Sequence, residues 1–302
     1  MAIKIAIIGT GAVGTTTAFA LLLRNVCAEI LLADINELRC QGEAMDLSDA
    51  LSFSETSKIT VTTVKNAGQA DIIIICAGKP QKKGQPRTEL LETNKAIIKQ
   101  IIEQLKPINP KAVLIMVTNP VDPLTWYAQT IAGLPRQQIM GSGTLLDSQR
   151  LRNLISQKLN VAEESIHAYI IGEHGDSQFP VFSDAHLAGA PLTNMLELRE
   201  LEKCAEQAKQ KVYDIIACKG FTNFGVATCV AAMCENIIFD QKRIMPVSCY
   251  LPDYDICMSI PAAIGASGVV NMFLPPLHGH EIELFKNTIE KLQDLKQFFI
   301  KF

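Results

Sequence analysis

Residues 3–14 read Ile3-Lys4-Ile5-Ala6-Ile7-Ile8-Gly9-Thr10-Gly11-Ala12-Val13-Gly14, and this stretch decides the fold. An apolar run rich in β-branched residues enters a Gly-x-Gly-x-x-Gly turn and leaves into a helical pattern over residues 13–23. Gly9 permits the tight turn, Gly11 lets main chain approach a pyrophosphate, and Gly14 lets helix and strand pack closely. Ala12 and Val13 open the helix, whose free N–H groups and positive dipole end suit a phosphate. Three glycines at this spacing are a frequent accident. Here the context is complete, because Asp34 ends the next apolar run twenty residues after Gly14. Its carboxylate can accept both hydroxyls of a ribose and would repel a 2′-phosphate, which favours NAD over NADP.

Working outward, apolar runs recur over residues 29–33, 59–63, 71–76 and 113–117, with amphipathic stretches over 37–51, 89–105 and 121–132 between them. Near-continuous Ile and Val in such runs suits parallel strands covered on both faces. The alternation predicts a doubly wound parallel α/β sheet of Rossmann type. From Thr144 the pattern changes to a mixed α+β arrangement. Helices are expected over 144–159, 194–218 and 223–239 and from about Glu281, a strand over 166–171, and strand and turn signals over 246–273. The boundary therefore falls near Gly143, giving a cofactor domain 1–143 and a substrate domain 144–302.

Composition narrows the function classes. The 302 residues are 48% apolar and 20% charged with a formal net charge of -3, so no basic field points to nucleic acid. No apolar run approaches the ~18 residues of a membrane span. The first residues already read as a strand, which leaves no expected signal peptide. Nine cysteines without a Cys-x-x-Cys pair fit reduced thiols and a cytoplasmic setting. His278 and His280 flank a glycine without an obvious third ligand, so no metal is expected.

The chemistry concentrates in two blocks, Leu146-Asp147-Ser148-Gln149-Arg150 and Gly172-Glu173-His174-Gly175-Asp176-Ser177. Asp147 and Arg150 are three apart on an expected helix and share a face, whereas Arg152 lies about 200° around it. Arg150 is suited to grip a carboxylate as a two-pronged donor, although a surface ion pair with Asp147 would use the same spacing. His174 follows an apolar strand in a glycine-flanked loop. A carboxylate on one ring nitrogen would leave the other free to exchange a hydroxyl proton. The segment Ala77-Gly78-Lys79-Pro80-Gln81-Lys82-Lys83-Gly84-Gln85-Pro86-Arg87 starts at the carboxyl end of a parallel strand, where ligands bind in such sheets. Its composition fits a solvated connector equally well; as a closing loop it would bring Arg87 over a carbonyl.

These blocks, with Thr118-Asn119-Pro120-Val121-Asp122, Gly141–Arg152 and Lys219-Gly220-Phe221-Thr222, resemble the lactate/malate dehydrogenase family of L-2-hydroxy acid dehydrogenases, and most closely its bacterial lactate-converting branch. The resemblance runs nearly end to end. It implies that His174 is the acid/base and Asp147 its partner, that Arg150 binds the substrate carboxylate, and that Arg87 arrives with the closing loop. It further implies that Asn119 contacts substrate and cofactor, that Ala77 and Gly78 line the cofactor site, and that Asn119–Pro120 is cis. The position that separates the two branches is Gln81, where malate enzymes carry arginine. Gln81, Thr222 and Glu173 match the lactate branch, so pyruvate and lactate are the expected substrates. Pro80, Gln85-Pro86 and the charges of Lys82 and Lys83 keep malate dehydrogenase, acting on oxaloacetate, as the alternative, and a broader L-2-hydroxy acid dehydrogenase is also open. Arg152 and His167 match positions that bind fructose 1,6-bisphosphate in allosteric members, and the resemblance also implies a homotetramer, or a dimer that tetramerises with effector. A redox-sensing module without turnover would keep Gly9–Gly14 and Asp34 but lose the catalytic groups, which this chain retains together.

Overall fold

A computed structural model of the chain describes residues 3–54, 58–80 and 87–300. The first half alternates as β1 (Lys4–Ile8), α1 (Ala12–Arg24), β2 (Glu29–Ala33), α2 (Glu37–Asp49), β3 (Lys58–Val61), α3 (Val64–Ala67), β4 (Ile72–Ile75), α4 (Arg87–Leu105), β5 (Val113–Met116), α5 (Val121–Ile131) and β6 (Ile139–Gly141). The six strands are parallel in the order β6-β5-β4-β1-β2-β3. The strand order reverses between β1 and β4, and ligands bind outside the carboxyl ends of strands at such a point. The central strands are covered on both faces, and all four isoleucines of β4 are buried. Each contributes about 2 kcal/mol of apolar burial.

The second half runs α6 (Leu145–Leu159), β7 (Ile166–Ile171), β8 (Phe179–Leu187), β9 (Ala190–Pro191), α7 (Leu198–Lys219), α8 (Phe224–Ile238), β10 (Arg243–Leu251), β11 (Ile256–Gly265), β12 (Gly268–Met272) and α9 (His280–Ile300). The α+β character is as expected, with two additions. Strands β7, β8 and β9 form a small antiparallel sheet of their own. Strands β10, β11 and β12 do not stand apart but extend the parallel sheet, with β10 antiparallel to β6 through Ser248 opposite Gly141. One nine-stranded sheet therefore crosses from the first half into the second. The helix expected from Asn194 begins at Leu198, because residues 192–194 are spent in a 3-10 turn. Among the described residues no helix is long and apolar enough to cross a membrane.

Candidate active site

At the reversal point the glycine turn is tight. Gly9 sits at φ +101°, and a Cβ there would lie 2.6 Å from the Ala77 nitrogen at the end of β4. A Cβ on Gly14 would lie 1.9 Å from the Gly9 carbonyl oxygen, so only glycine lets α1 start this close to β1. By contrast, a Cβ on Gly11 would meet nothing within 4 Å, which leaves open space over the first turn of α1. The N–H groups of Ala12, Val13 and Gly14 precede the first helical bond, which the Thr15 N–H makes to the Gly11 carbonyl at 3.0 Å. Asp34 closes the far side. Its Oδ2 accepts from the Thr10 N–H at 2.6 Å and its Oδ1 from the Asn36 N–H at 2.9 Å. A groove of about 1010 Å³ runs past Gly9, Gly11, Asp34, Ala77 and Gly78. Its size, its glycine floor and its carboxylate at the ribose end fit a dinucleotide.

Two strand-end turns are held together beside this groove. Asn94, fully buried on α4, accepts from the Lys79 N–H at 2.8 Å and donates to the Asn119 carbonyl at 2.7 Å. Thr118 donates to the Ala77 carbonyl at 2.7 Å. These contacts fix the turn Thr118–Pro120, which contains a cis Asn119–Pro120 bond and an exposed Asn119.

The candidate catalytic cluster is assembled from α6 and the loop after β7. Asp147 and Arg150 lie one turn apart and both are buried, with Arg150 Nη1 3.4 Å from Asp147 Oδ1. The other carboxylate oxygen of Asp147 is 2.8 Å from His174 Nδ1. His174 keeps 29% of its side-chain exposure, enough for Nε2 to meet a ligand. Burial alone would lower the His174 pKa, but the charge and hydrogen bond of Asp147, with a smaller push from Asp122, outweigh it and raise it. Burial likewise works to raise Asp147, and His174, Arg150 and Gln178 together overcome it and hold the carboxyl below its usual range. With Nδ1 bound to a carboxylate, that nitrogen carries the proton and Nε2 is left free to exchange one. Glu173, 1% exposed, is anchored by Lys291 at 2.7 Å and by the Ser177 hydroxyl at 2.6 Å. The loop that carries His174 is thereby tied to α9.

Thr222 lies in the turn between α7 and α8. Its neighbour Asn223 is buried and donates to Thr16 Oγ1 on α1 at 2.8 Å, so this turn abuts the cofactor helix. Gln81 lies outside the described residues, as does the side chain of Arg87, whose backbone begins α4. Arg152 and His167 stand apart from the Asp147–His174 pair. The Arg152 guanidinium lies 5.8 Å over the Tyr169 ring, and His167 stacks on His186 at 4.7 Å. Asp122, Asn94 and Ser259 carry contacts that the sequence reading did not assign. A second cavity of about 520 Å³ lies between β8, α7 and α9 and does not include His174. Among the described residues no group of three or more His, Cys, Asp or Glu is placed to hold a metal.

A dinucleotide groove at the sheet reversal, together with a buried guanidinium and a carboxylate-armed imidazole in the same chain, is the equipment of an NAD-dependent dehydrogenase of hydroxy acids. Residues 3–141 match the lactate/malate dehydrogenase NAD-binding domain and residues 144–302 the alpha/beta C-terminal domain of the same family. L-lactate dehydrogenase A of Rhizopus oryzae is 41% identical over 97% of this chain and 92% of its own. L-lactate dehydrogenase of Latilactobacillus sakei subsp. sakei is 36% identical over 97% and 93%. Among solved structures, a lactate dehydrogenase from a Medee basin deep-sea metagenome library superposes with a TM-score of 0.94 at 31% identity, covering 99% of both chains. The minor L-lactate dehydrogenase of Enterococcus mundtii gives 0.93 at 31% over 98% of both. The chain belongs to the lactate/malate dehydrogenase family, and its cofactor is NAD.

Proposed function

We propose that the chain is an L-lactate dehydrogenase, interconverting pyruvate and L-lactate. The observation that carries the reading is the Arg150–Asp147–His174 cluster, which sets a carboxylate-binding fork beside an imidazole with one nitrogen free. NADH supplies the hydride when bound. Arg150 grips the substrate carboxylate and turns the keto carbon toward the cofactor groove. His174 Nε2 donates a proton to the carbonyl oxygen in reduction and takes it back in oxidation, while Asp147 stabilises the imidazolium. Asn119, Thr222 and Arg87 are assigned to the remaining sides of the substrate. Gln81 brings no positive charge for a second carboxylate, and burying that charge unpaired would cost several kcal/mol. Preference for pyruvate over oxaloacetate follows.

Two further assignments belong to the same reading. The Arg152–His167 pair forms an effector site for fructose 1,6-bisphosphate. Burial lowers the His167 pKa, and the neighbouring His186 and Arg152 lower it further; a bound phosphate would relieve that crowding of cationic groups. The enzyme assembles as a homo-oligomer in the cytoplasm. Leu38 and Met45 on α2, and Phe53 just beyond it, are 82%, 66% and 87% exposed, and apolar surface of this kind is ordinarily covered by another subunit.

Steady-state NADH oxidation with pyruvate and with oxaloacetate, each with and without fructose 1,6-bisphosphate, tests the whole reading. A higher kcat/KM for pyruvate and activation by the bisphosphate are expected. Preference for oxaloacetate would overturn the substrate assignment, and no response to bisphosphate would overturn the effector site.

A further inference from the structure

Asp122 stands in the first turn of α5, three residues beyond Asn119, and is fully buried. An acidic residue at such a position ordinarily turns back on the free N–H groups of its own helix. Asp122 does not. Its Oδ2 accepts from the main-chain N–H of His174 at 2.7 Å, and its Oδ1 accepts from the Ser259 hydroxyl of β11 at 3.4 Å. Ser259 in turn does two things. Its hydroxyl accepts from the N–H of Thr144, the cap of α6, at 3.2 Å. Its main chain exchanges both hydrogen bonds with Gly172, at 2.9 and 3.0 Å, where the catalytic loop leaves β7. One carboxylate therefore touches the loop that carries His174 and reaches, through one hydroxyl, the start of the helix that carries Asp147 and Arg150.

We propose that Asp122 is a positioning residue for proton transfer, registering the His174 loop and the N-terminus of α6 against the Asn119 turn of α5. The proposal rests on the reading of His174 as the acid/base. Asp122 also adds a second negative charge beside the imidazole. The groups facing it are His174 and Glu173 from the catalytic loop, Cys249 on β10 and Cys257 on β11, with Asp147 and Arg150 beyond His174. Of these only His174 supplies positive charge directly against it. Burial raises the Asp122 carboxyl to about 6 even though Ser248, the His174 N–H and the imidazole act to lower it. It is thus ionised under neutral assay conditions and favours the protonated form of His174.

The test compares Asp122→Asn, Asp122→Ala and Ser259→Ala in the full chain, reading NADH affinity by fluorescence, kcat and KM for pyruvate, and the pH profile of reduction. Asp122→Asn keeps an acceptor for the His174 N–H and removes the charge. Its high-pH limb should move to lower pH by about half a unit, with NADH affinity unchanged. Asp122→Ala removes the acceptor as well, and kcat should fall about tenfold or more, the scale of a displaced catalytic group. Ser259→Ala leaves both carboxylates in place and removes the hydroxyl that joins Asp122 to the Thr144 N–H, so kcat should fall with little movement of the limb. Wild-type kcat and wild-type pH limbs in the Asp122 variants would overturn the inference. If neither of those variants folds, Ser259→Ala decides it, and an unchanged kcat overturns it. Full activity in His174→Asn would instead overturn the acid/base reading itself, a failure distinguishable because it does not involve Asp122.

Discussion

Asp147 Oδ2 and His174 Nδ1 lie 2.8 Å apart, although α6 and the β7 loop contribute them from positions 27 residues apart in the chain. The raised His174 and the lowered Asp147 have a defined pH consequence. With His174 as the proposed acid, reduction of pyruvate needs the imidazolium, so the reductive rate should persist until pH rises through the raised His174 value. Asp147→Asn should move that limb to lower pH and reduce kcat about a hundredfold, with NADH binding intact. The same pair stabilises the fold within a window. The Asp147 share is present above the unfolded carboxyl value near ~4 and lost as pH falls through its lowered folded value; the His174 share is present below ~6.5 and lost as pH rises through its raised one. Thermal melts of wild type and Asp147→Asn across pH should differ most between those limits.

Arg150 is buried and keeps its fork beside Asp147. Arg150→Lys preserves the charge but not the two-pronged geometry. Losing one charged hydrogen bond, about 1.5–3 kcal/mol, should raise KM for pyruvate about tenfold or more with little change in NADH affinity. An unchanged KM would remove Arg150 from the substrate site.

The cradle glycines separate folding from binding. Gly14→Ala drives a Cβ to 1.9 Å from the Gly9 oxygen, a main-chain collision that overpacking data place at about 1–3 kcal/mol. Its Tm should fall. Gly11→Ala meets nothing within 4 Å, so its Tm should hold while NADH binds more weakly, because the methyl group occupies the phosphate approach. Equal effects of the two changes on Tm would contradict this division.

Gln81→Arg bears on substrate choice. Adding a cation to the closing loop should move the kcat/KM ratio toward oxaloacetate by about tenfold or more, because it pairs a carboxylate whose uncompensated burial is the largest opposing term. A ratio unchanged from wild type would mean that Lys82, Lys83 or another group sets the preference.

Legibility followed physical cause. Strands β1, β2, β4 and β5 were readable to within a residue or so because strands covered on both faces appear as unbroken apolar runs. Strand β8 was not, since Phe179-Pro180-Val181-Phe182-Ser183-Asp184 mixes buried positions with exposed ones and carries a proline. The start of β10 lies beyond an apolar-run reading because Arg243 and Ile244 are exposed. Among site residues, His174, Asp147 and Arg150 announced themselves by side-chain chemistry at helical or loop spacing. Asp122, Asn94 and Ser259 did not. Each acts through a main-chain group or hydroxyl supplied by a distant part of the chain, His174 lying 52 residues from Asp122 and Thr144 lying 115 from Ser259. No local pattern encodes such a partner.

The same buried Asp122 should cost stability where it aids chemistry. Its pKa rises from 3.8 to about 6, so folding is opposed by the ionised form. Stability from this group is complete below the unfolded value near 4 and is lost as pH rises through about 6. Above that point the cost approaches about 3 kcal/mol, offset in part by the bond to the His174 N–H. Asp122→Asn escapes the charge term and keeps that bond through its carbonyl. Relative to wild type, its Tm should therefore be higher at pH 8 than at pH 4.5 by about 2–5 °C, even as its activity falls. A Tm difference that is the same at both pH values would show that the carboxylate is not held at a cost, and the reason for regarding it as retained for function would go with it.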